Sequence, residues 1–259
     1  MQAGCGQVRG AVGMIPSVLA VTLPGFMLGA IFMALANRRT TADIAHARWL
    51  KLAVFFIIVH VVLAVSAAGR PWVTALVAVI LAAGGVELSL AWRAMKPPRP
   101  LRAWLLFAIV AALALGASWY LPSPVFAFLF LVTAACDGFS QVTGQLVGRV
   151  KLAPRVSPRK TVEGLAGGLV AAVVVALLLR DMLGAGIPAT VTIALLTGVA
   201  GLAGDLAASW VKRRAGIKDF SAALPGQGGF LDRFDSLLGA LVFVGALLAV
   251  AGMGWFGAA

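Results

Sequence analysis

Eight stretches of this chain, at about 12–35, 52–69, 72–92, 103–119, 123–147, 164–183, 188–208 and 235–256, are apolar over most of the length that a bilayer crossing demands. A hydrocarbon core about 30 Å thick takes roughly 20 residues of α-helix. Inside it every backbone amide and carbonyl must be satisfied by the chain itself, so helices are the expected element. The chain is 61% hydrophobic and only 12% charged, whereas soluble domains hold about half apolar residues. The expected fold class is all-α: a polytopic integral membrane protein with about eight transmembrane helices.

The charges are distributed unevenly along this pattern. Of the 21 basic residues, 18 fall in or beside the connections after the first, third, fifth and seventh spans. The exceptions are Arg9, Arg70 and Arg180. A net charge of +12 in a soluble protein would point to nucleic acid. Here the positive-inside bias accounts for it, and no nucleic-acid partner is expected. That bias makes the basic face cytoplasmic, with both termini outside, and an even number of spans preserves the alternation. A bacterial inner membrane is the expected location, and no cleavable signal is evident in the first residues.

Pro97-Pro98-Arg99-Pro100 reads as a stiff, non-helical link. It divides the chain into N-terminal scaffold helices, 1–102, and a C-terminal catalytic region, 103–259. Gly164 and Gly168, and likewise Gly198, Gly201 and Gly204, are spaced for close helix packing. Cys5 and Cys136 give no basis for a disulfide. Cys136 sits in an apolar run and reads as a small core residue.

With only nine acidic residues in the chain, their clustering is informative. Asp205, Ser209 and Lys212 recur at helical spacing and share a face at the end of the seventh span. A lone carboxylate there is costly. A bound divalent cation would compensate for it, as would a salt bridge to Lys212 or Arg213. Asp232 and Asp235 open the last span beside Arg233, where a helix N-terminus favours negative charge. The glycines Gly226, Gly228 and Gly229 before them permit close backbone approach to phosphate. An earlier block holds Asp137, Gln141, Gly144 and Gly148 on one helical stripe. Ser157, Arg159, Lys160, Thr161 and Glu163 follow it. Glu87, within the third span, is an intramembrane carboxylate and so reads as either functional or paired. Asp43 reads as a solvated loop residue, and Asp181 beside Arg180 as a helix end at the outer surface.

Two regions together resemble the phosphatidate cytidylyltransferases, the CDP-diacylglycerol synthases. The first runs Ser209-Trp-Val-Lys-Arg213, Lys218-Asp219, Leu224-Pro-Gly-Gln-Gly-Gly229 and Asp232-Arg-Phe-Asp235. It departs from the family pattern only at Gln227, where the family carries His. The second runs from Asp137 through Gly144 and Gly148-Arg149 to Lys151-Leu-Ala-Pro-Arg-Val-Ser157-Pro-Arg-Lys160-Thr161-Val-Glu163-Gly164. Here Phe139-Ser140-Gln141 replaces the family's small-aromatic pair. The two regions cover about 100 residues.

The resemblance implies a multi-span helical fold and a reaction in which CTP and phosphatidate give CDP-diacylglycerol and pyrophosphate. It implies Asp205 and Asp232 as ligands of Mg2+ or another divalent cation, with Asp235 in the same catalytic cluster. Lys212 and Arg213 belong to that cluster by resemblance, as phosphate contacts. Substrate-binding residues implied in the same way are Asp137, Ser157, Lys160, Thr161, Glu163, Ser209, Lys218, Asp219, Gln227, Gly228, Gly229 and Arg233. Partners are CTP, a lipid phosphate and membrane lipids, with a homodimer as an allowed assembly. The alternatives are a paralogue that activates a different lipid phosphate and a membrane transporter. A transporter would be expected to show repeat symmetry and a midplane site, and neither is read here.

Overall fold

A computed structural model describes residues 2–38, 40–93 and 100–255, with side chains excepted at 2–15, 36, 100–103 and 252–255. The helices are α1 (Gln2–Asn37), α2 (Ala42–Ala68), α3 (Arg70–Arg93), α4 (Pro100–Tyr120) and α5 (Ser123–Val147). After two short strands, β1 (Lys151–Ala153) and β2 (Ser157–Thr161), come α6 (Val162–Leu178), α7 (Arg180–Leu183) and α8 (Ile187–Arg214). Last among the described residues come α9 (Phe230–Ala240), one π turn (Leu241–Gly245) and α10 (Ala246–Trp255), which follow one another without a break.

Six of these segments are long and apolar enough to cross a membrane. The apolar helices Trp104–Tyr120 and Val162–Leu178 are shorter, at the lower limit of a crossing. Together they occupy the eight positions expected from hydropathy. Residues 97–99 of the proline link lie outside the described residues. Pro100 itself is the first residue of α4, where a missing N–H costs nothing.

The core forms around α5. Every residue from Val125 to Val132 is buried, which requires a helix apolar on all sides. The glycines set how closely its neighbours approach. A Cβ at Gly164 would stand 2.7 Å from the Ser140 carbonyl oxygen, and one at Gly168 would stand 2.6 Å from that of Cys136. Packing of α6 on α5 therefore depends on bare backbone. The same holds for α8 on α9, where a Cβ on Gly239 would lie 2.9 Å from the Cα of Gly204. The expected close-packing role of Gly164, Gly168 and Gly204 is thus observed, and buried Cys136 is the small core residue expected.

The antiparallel pair β1–β2, with Lys151 opposite Thr161 and Ala153 opposite Ser157, is an addition to the expected all-helical fold. Thr161 then caps α6, its Oγ1 accepting from the Gly164 amide at 3.1 Å. Arg213 Nε donates to the Val156 carbonyl at 3.3 Å, tying this hairpin to the end of α8. Gln227 Nε2 donates to the Lys51 carbonyl at 2.8 Å, tying the 224–229 loop to α2. Basic connections far apart in sequence therefore meet at one end of the bundle. Arg180 and Asp181, 3.7 Å apart, stand exposed in α7, between α6 and α8.

Candidate active site

At that end lies a cavity of about 590 Å³. One wall comes from α5 and the hairpin, with Asp137, Ser157, Lys160 and Thr161. The other comes from α8 and α9, with Asp205, Asp232, Arg233 and Asp235. All eight were singled out in the sequence. Those on α8 and α9 converge because the two helices touch at Gly204 and Gly239, which sets their acidic residues side by side.

One ion pair crosses between the walls and a second joins α8 to α9. Lys160 Nζ lies 2.6 Å from Asp205 Oδ2, and Ser209 Oγ donates to Asp205 Oδ1 at 3.1 Å. Asp205 is therefore paired with the hairpin lysine and not with Lys212 or Arg213. Lys212 Nζ instead donates to Asp232 Oδ1 at 2.6 Å, and both side chains are buried. The second oxygen of Asp232 accepts from the Phe220 amide at 2.7 Å and the Gly229 amide at 2.9 Å. Asp235 Oδ1 accepts from the Ser236 amide at 2.7 Å. The guanidinium of Arg233 lies over the Phe55 ring, 4.2 Å from its centroid, and its buried Nε–H has no hydrogen-bond partner among the described residues.

The 224–229 loop is a type II turn, with the Gln227 amide donating to the Leu224 carbonyl at 2.9 Å. Pro225 fits its second position, and Gly226, at φ +71°, supplies the left-handed third position. Gly228, at φ +85°, returns the chain so that the Leu224 amide meets the Gly228 carbonyl at 2.8 Å. This loop stands beside the cavity and holds the start of α9. Gln227, Gly228 and Gly229 do not line the cavity, and neither do Arg213, Lys218, Asp219 or Glu163. Lys218 and Asp219 are exposed. Glu163 accepts from the Arg149 amide at 3.0 Å and the Val150 amide at 3.2 Å. Glu163 thereby closes the turn between α5 and β1.

The structure also adds lining residues that the motif reading passed over. Ser140 and Gln145 continue the α5 stripe of Asp137 and Gln141, and Ser236 follows Asp235. Helical spacing from Asp137 was the available signal for Ser140 and Gln145. Lys151 and Arg159 also line the cavity from the hairpin, and their placement follows from strand pairing.

A helical bundle with six segments apolar and long enough to cross a membrane, and with carboxylates, lysines and arginines around one polar cavity, defines a class: polytopic helical membrane proteins with a charged cavity suited to anionic groups. Sequence comparison narrows the class. The profile of the Cytidylyltransferase family matches residues 17–251, and the chain belongs to that family. It is 44% identical over 129 residues to a phosphatidate cytidylyltransferase of Brucella abortus biovar 1 (strain 9-941), 47% of each chain being covered. It is 42% identical over 122 residues to that of Bacillus subtilis (strain 168), covering 46% of this chain and 45% of the relative. It is also 40% identical over 115 residues to the uncharacterized protein YnbB of Escherichia coli (strain K12), covering 43% and 38%. The chain spans about half the length of the curated relatives it matches.

Proposed function

We propose that the protein transfers a cytidylyl group from CTP to phosphatidate, giving CDP-diacylglycerol and pyrophosphate, at the cytoplasmic face of a bacterial inner membrane. The carrying observation is the convergence of Asp137, Lys160, Asp205, Asp232, Arg233 and Asp235 on one cavity in a chain of this family.

In this reading an oxygen of the lipid phosphate attacks the α-phosphorus of CTP. A new P–O bond forms, the bond from the α-phosphorus to the bridging oxygen breaks, and pyrophosphate leaves with that electron pair. The protein's work is positioning and charge neutralisation. Arg233 brings an uncommitted donor to the nucleotide phosphates. Lys160 lines the cavity and can turn from Asp205 to the incoming phosphates, whereas Lys212, buried and off the cavity lining, holds Asp232 in place.

The donor set also fits a divalent cation. Among the described residues no three acidic, histidine or cysteine side chains close into a cage. Magnesium commonly takes one or two carboxylates and completes its shell with water and substrate phosphate. Asp205 and Asp232 would hold it, with Asp235 beside them. When bound, the ion would neutralise charge developing on the phosphates.

A second reading keeps the chemistry and changes the acceptor. Ser140 and Gln141 line the cavity in place of the family's small-aromatic pair, which favours a lipid phosphate with a more polar head. Purified protein with radiolabelled CTP, magnesium and a panel of lipid phosphates tests both. CDP-diacylglycerol from phosphatidate supports the first reading. Product only from another lipid phosphate supports the second, and no cytidylyl product from any of them rejects both.

A further inference from the structure

We infer that Glu87, in α3, is a positioning residue for this site: it fixes the start of α9 and thereby the placement of Asp232, Arg233 and Asp235. The inference rests on the reading of the cavity as a nucleotidyl-transfer site.

The first turn of a helix presents amides with no partner in the helix. A Ser, Thr, Asp or Asn side chain at the preceding position usually accepts from one of them. The residue before α9 is Gly229, which has no side chain to offer. Glu87 serves instead, from another helix. Its Oε1 accepts from the Phe230 amide at 2.9 Å and its Oε2 from the Leu231 amide at 2.9 Å. Ser221 Oγ donates to Oε1 at 2.6 Å, so the same carboxylate also holds the loop that leads to the turn.

Three further observations connect this contact to the chemistry. Glu87 is 5% exposed within an apolar helix, where a carboxylate is costly. Among the described residues no cation pairs with it, and the three donors and the positive end of α9 take that place. A Cβ on Gly229 would fall onto the Glu87 carboxylate, so the glycine at this motif position is required by a residue far away in sequence. Asp232 already accepts the Phe220 and Gly229 amides with Oδ2. With Glu87 taking Phe230 and Leu231, Oδ1 of Asp232 is left to Lys212 and to whatever enters the cavity. Phe55 under Arg233 and the Lys51 carbonyl under Gln227 extend the same seat along α2. The first helices are therefore part of the site's support and not only a membrane scaffold.

The test uses the full chain, purified in detergent, as wild type, Glu87→Gln, Glu87→Ala and Ser221→Ala. Amide hydrogen exchange is followed by residue, and cytidylyl transfer from CTP to phosphatidate is measured at steady state. Glu87→Gln keeps the size of the side chain but turns an NH2 toward an amide that needs an acceptor. The expected result is exchange at residues 229–231 faster by about tenfold, with the other helices unchanged. The kcat should fall about tenfold, with KM for CTP altered less than about threefold. Ser221→Ala, which removes one of three bonds, should show the same pattern more weakly, and Glu87→Ala more strongly. Exchange and kcat within about twofold of wild type in Glu87→Gln would overturn the inference. So would faster exchange in every helix, because that marks general support of the fold. If the wild type transfers nothing, the functional reading fails. The exchange result then decides the inference alone: a local rise at 229–231 upholds it and no rise overturns it.

Discussion

Lys212 on α8 and Asp232 on α9 form a buried ion pair, 2.6 Å apart, that joins the two helices bearing most of the acidic residues of the site. Removing one partner of such a pair leaves the other charge uncompensated, at a cost of about 3–5 kcal/mol. Lys212→Met keeps the stem and removes the charge. Its thermal unfolding in detergent should begin well below that of the wild type. Lys212→Met combined with Asp232→Leu should recover part of the loss, because an apolar pair carries no stranded charge. An equal midpoint for Lys212→Met and wild type would mean that the pair is solvated.

Asp205 and Asp232 differ in how much structure depends on them, so their variants should differ. Among the described residues Asp205 accepts only from Lys160 and Ser209. Asp205→Asn should abolish transfer while leaving folded protein at wild-type yield. Asp232 also accepts two backbone amides, so Asp232→Asn should abolish transfer and lower the unfolding temperature as well. Asp181→Asn, exposed and remote from the cavity, should match wild type in both assays. Full activity in the Asp205 variant would reject its place in the chemistry.

Gln227, the one departure from the family pattern in its motif, donates to the Lys51 carbonyl and does not line the cavity. A His there retains a ring N–H donor. Gln227→His should therefore stay within about tenfold of wild-type activity, or roughly 1.4 kcal/mol in the barrier. Gln227→Ala should cost about 0.5–1.5 kcal/mol of stability, the worth of one hydrogen bond. A variant that is stable yet inactive would place this side chain on the substrate after all.

The basic connections should face the cytoplasm. With Cys5 and Cys136 replaced by Ser, cysteines introduced as Arg155→Cys in the hairpin and Ala222→Cys before the turn should be protected from an impermeant thiol reagent in intact cells. Asp181→Cys should be labelled. The reverse pattern would invert the orientation.

The eight apolar segments were legible because hydropathy acts over a whole helix and does not depend on partners. The acidic residues were legible for the opposite reason: a carboxylate at a membrane boundary is costly enough to stand out singly, and Asp205, Asp232 and Asp235 all reached the cavity. Other features depend on which segments meet. The hairpin at Lys151–Thr161 has strands too short and too charged to read as strands. Lys160 was expected on phosphate, but the pairing that brings it onto Asp205 is made across the helix between them. Glu87 was visible as an anomaly, yet its donors lie more than a hundred residues away. The motif residues Gln227, Gly228 and Gly229 were expected at phosphate. The turn they build holds the site from outside, a division that a linear motif does not record.

The contact of Gly204 with Gly239 makes the gap between Asp205 and Asp235 a fixed gauge. Its width is set by main-chain thickness, which no side-chain substitution can trim further and any larger residue would widen. The α8–α9 wall is therefore the stiffer half of the cavity. The opposing α5 wall is lined by side chains such as Ser140, Gln141 and Gln145, which can be exchanged without moving a helix. Exchanges on that wall would reshape the cavity while the α8–α9 spacing stays as it is.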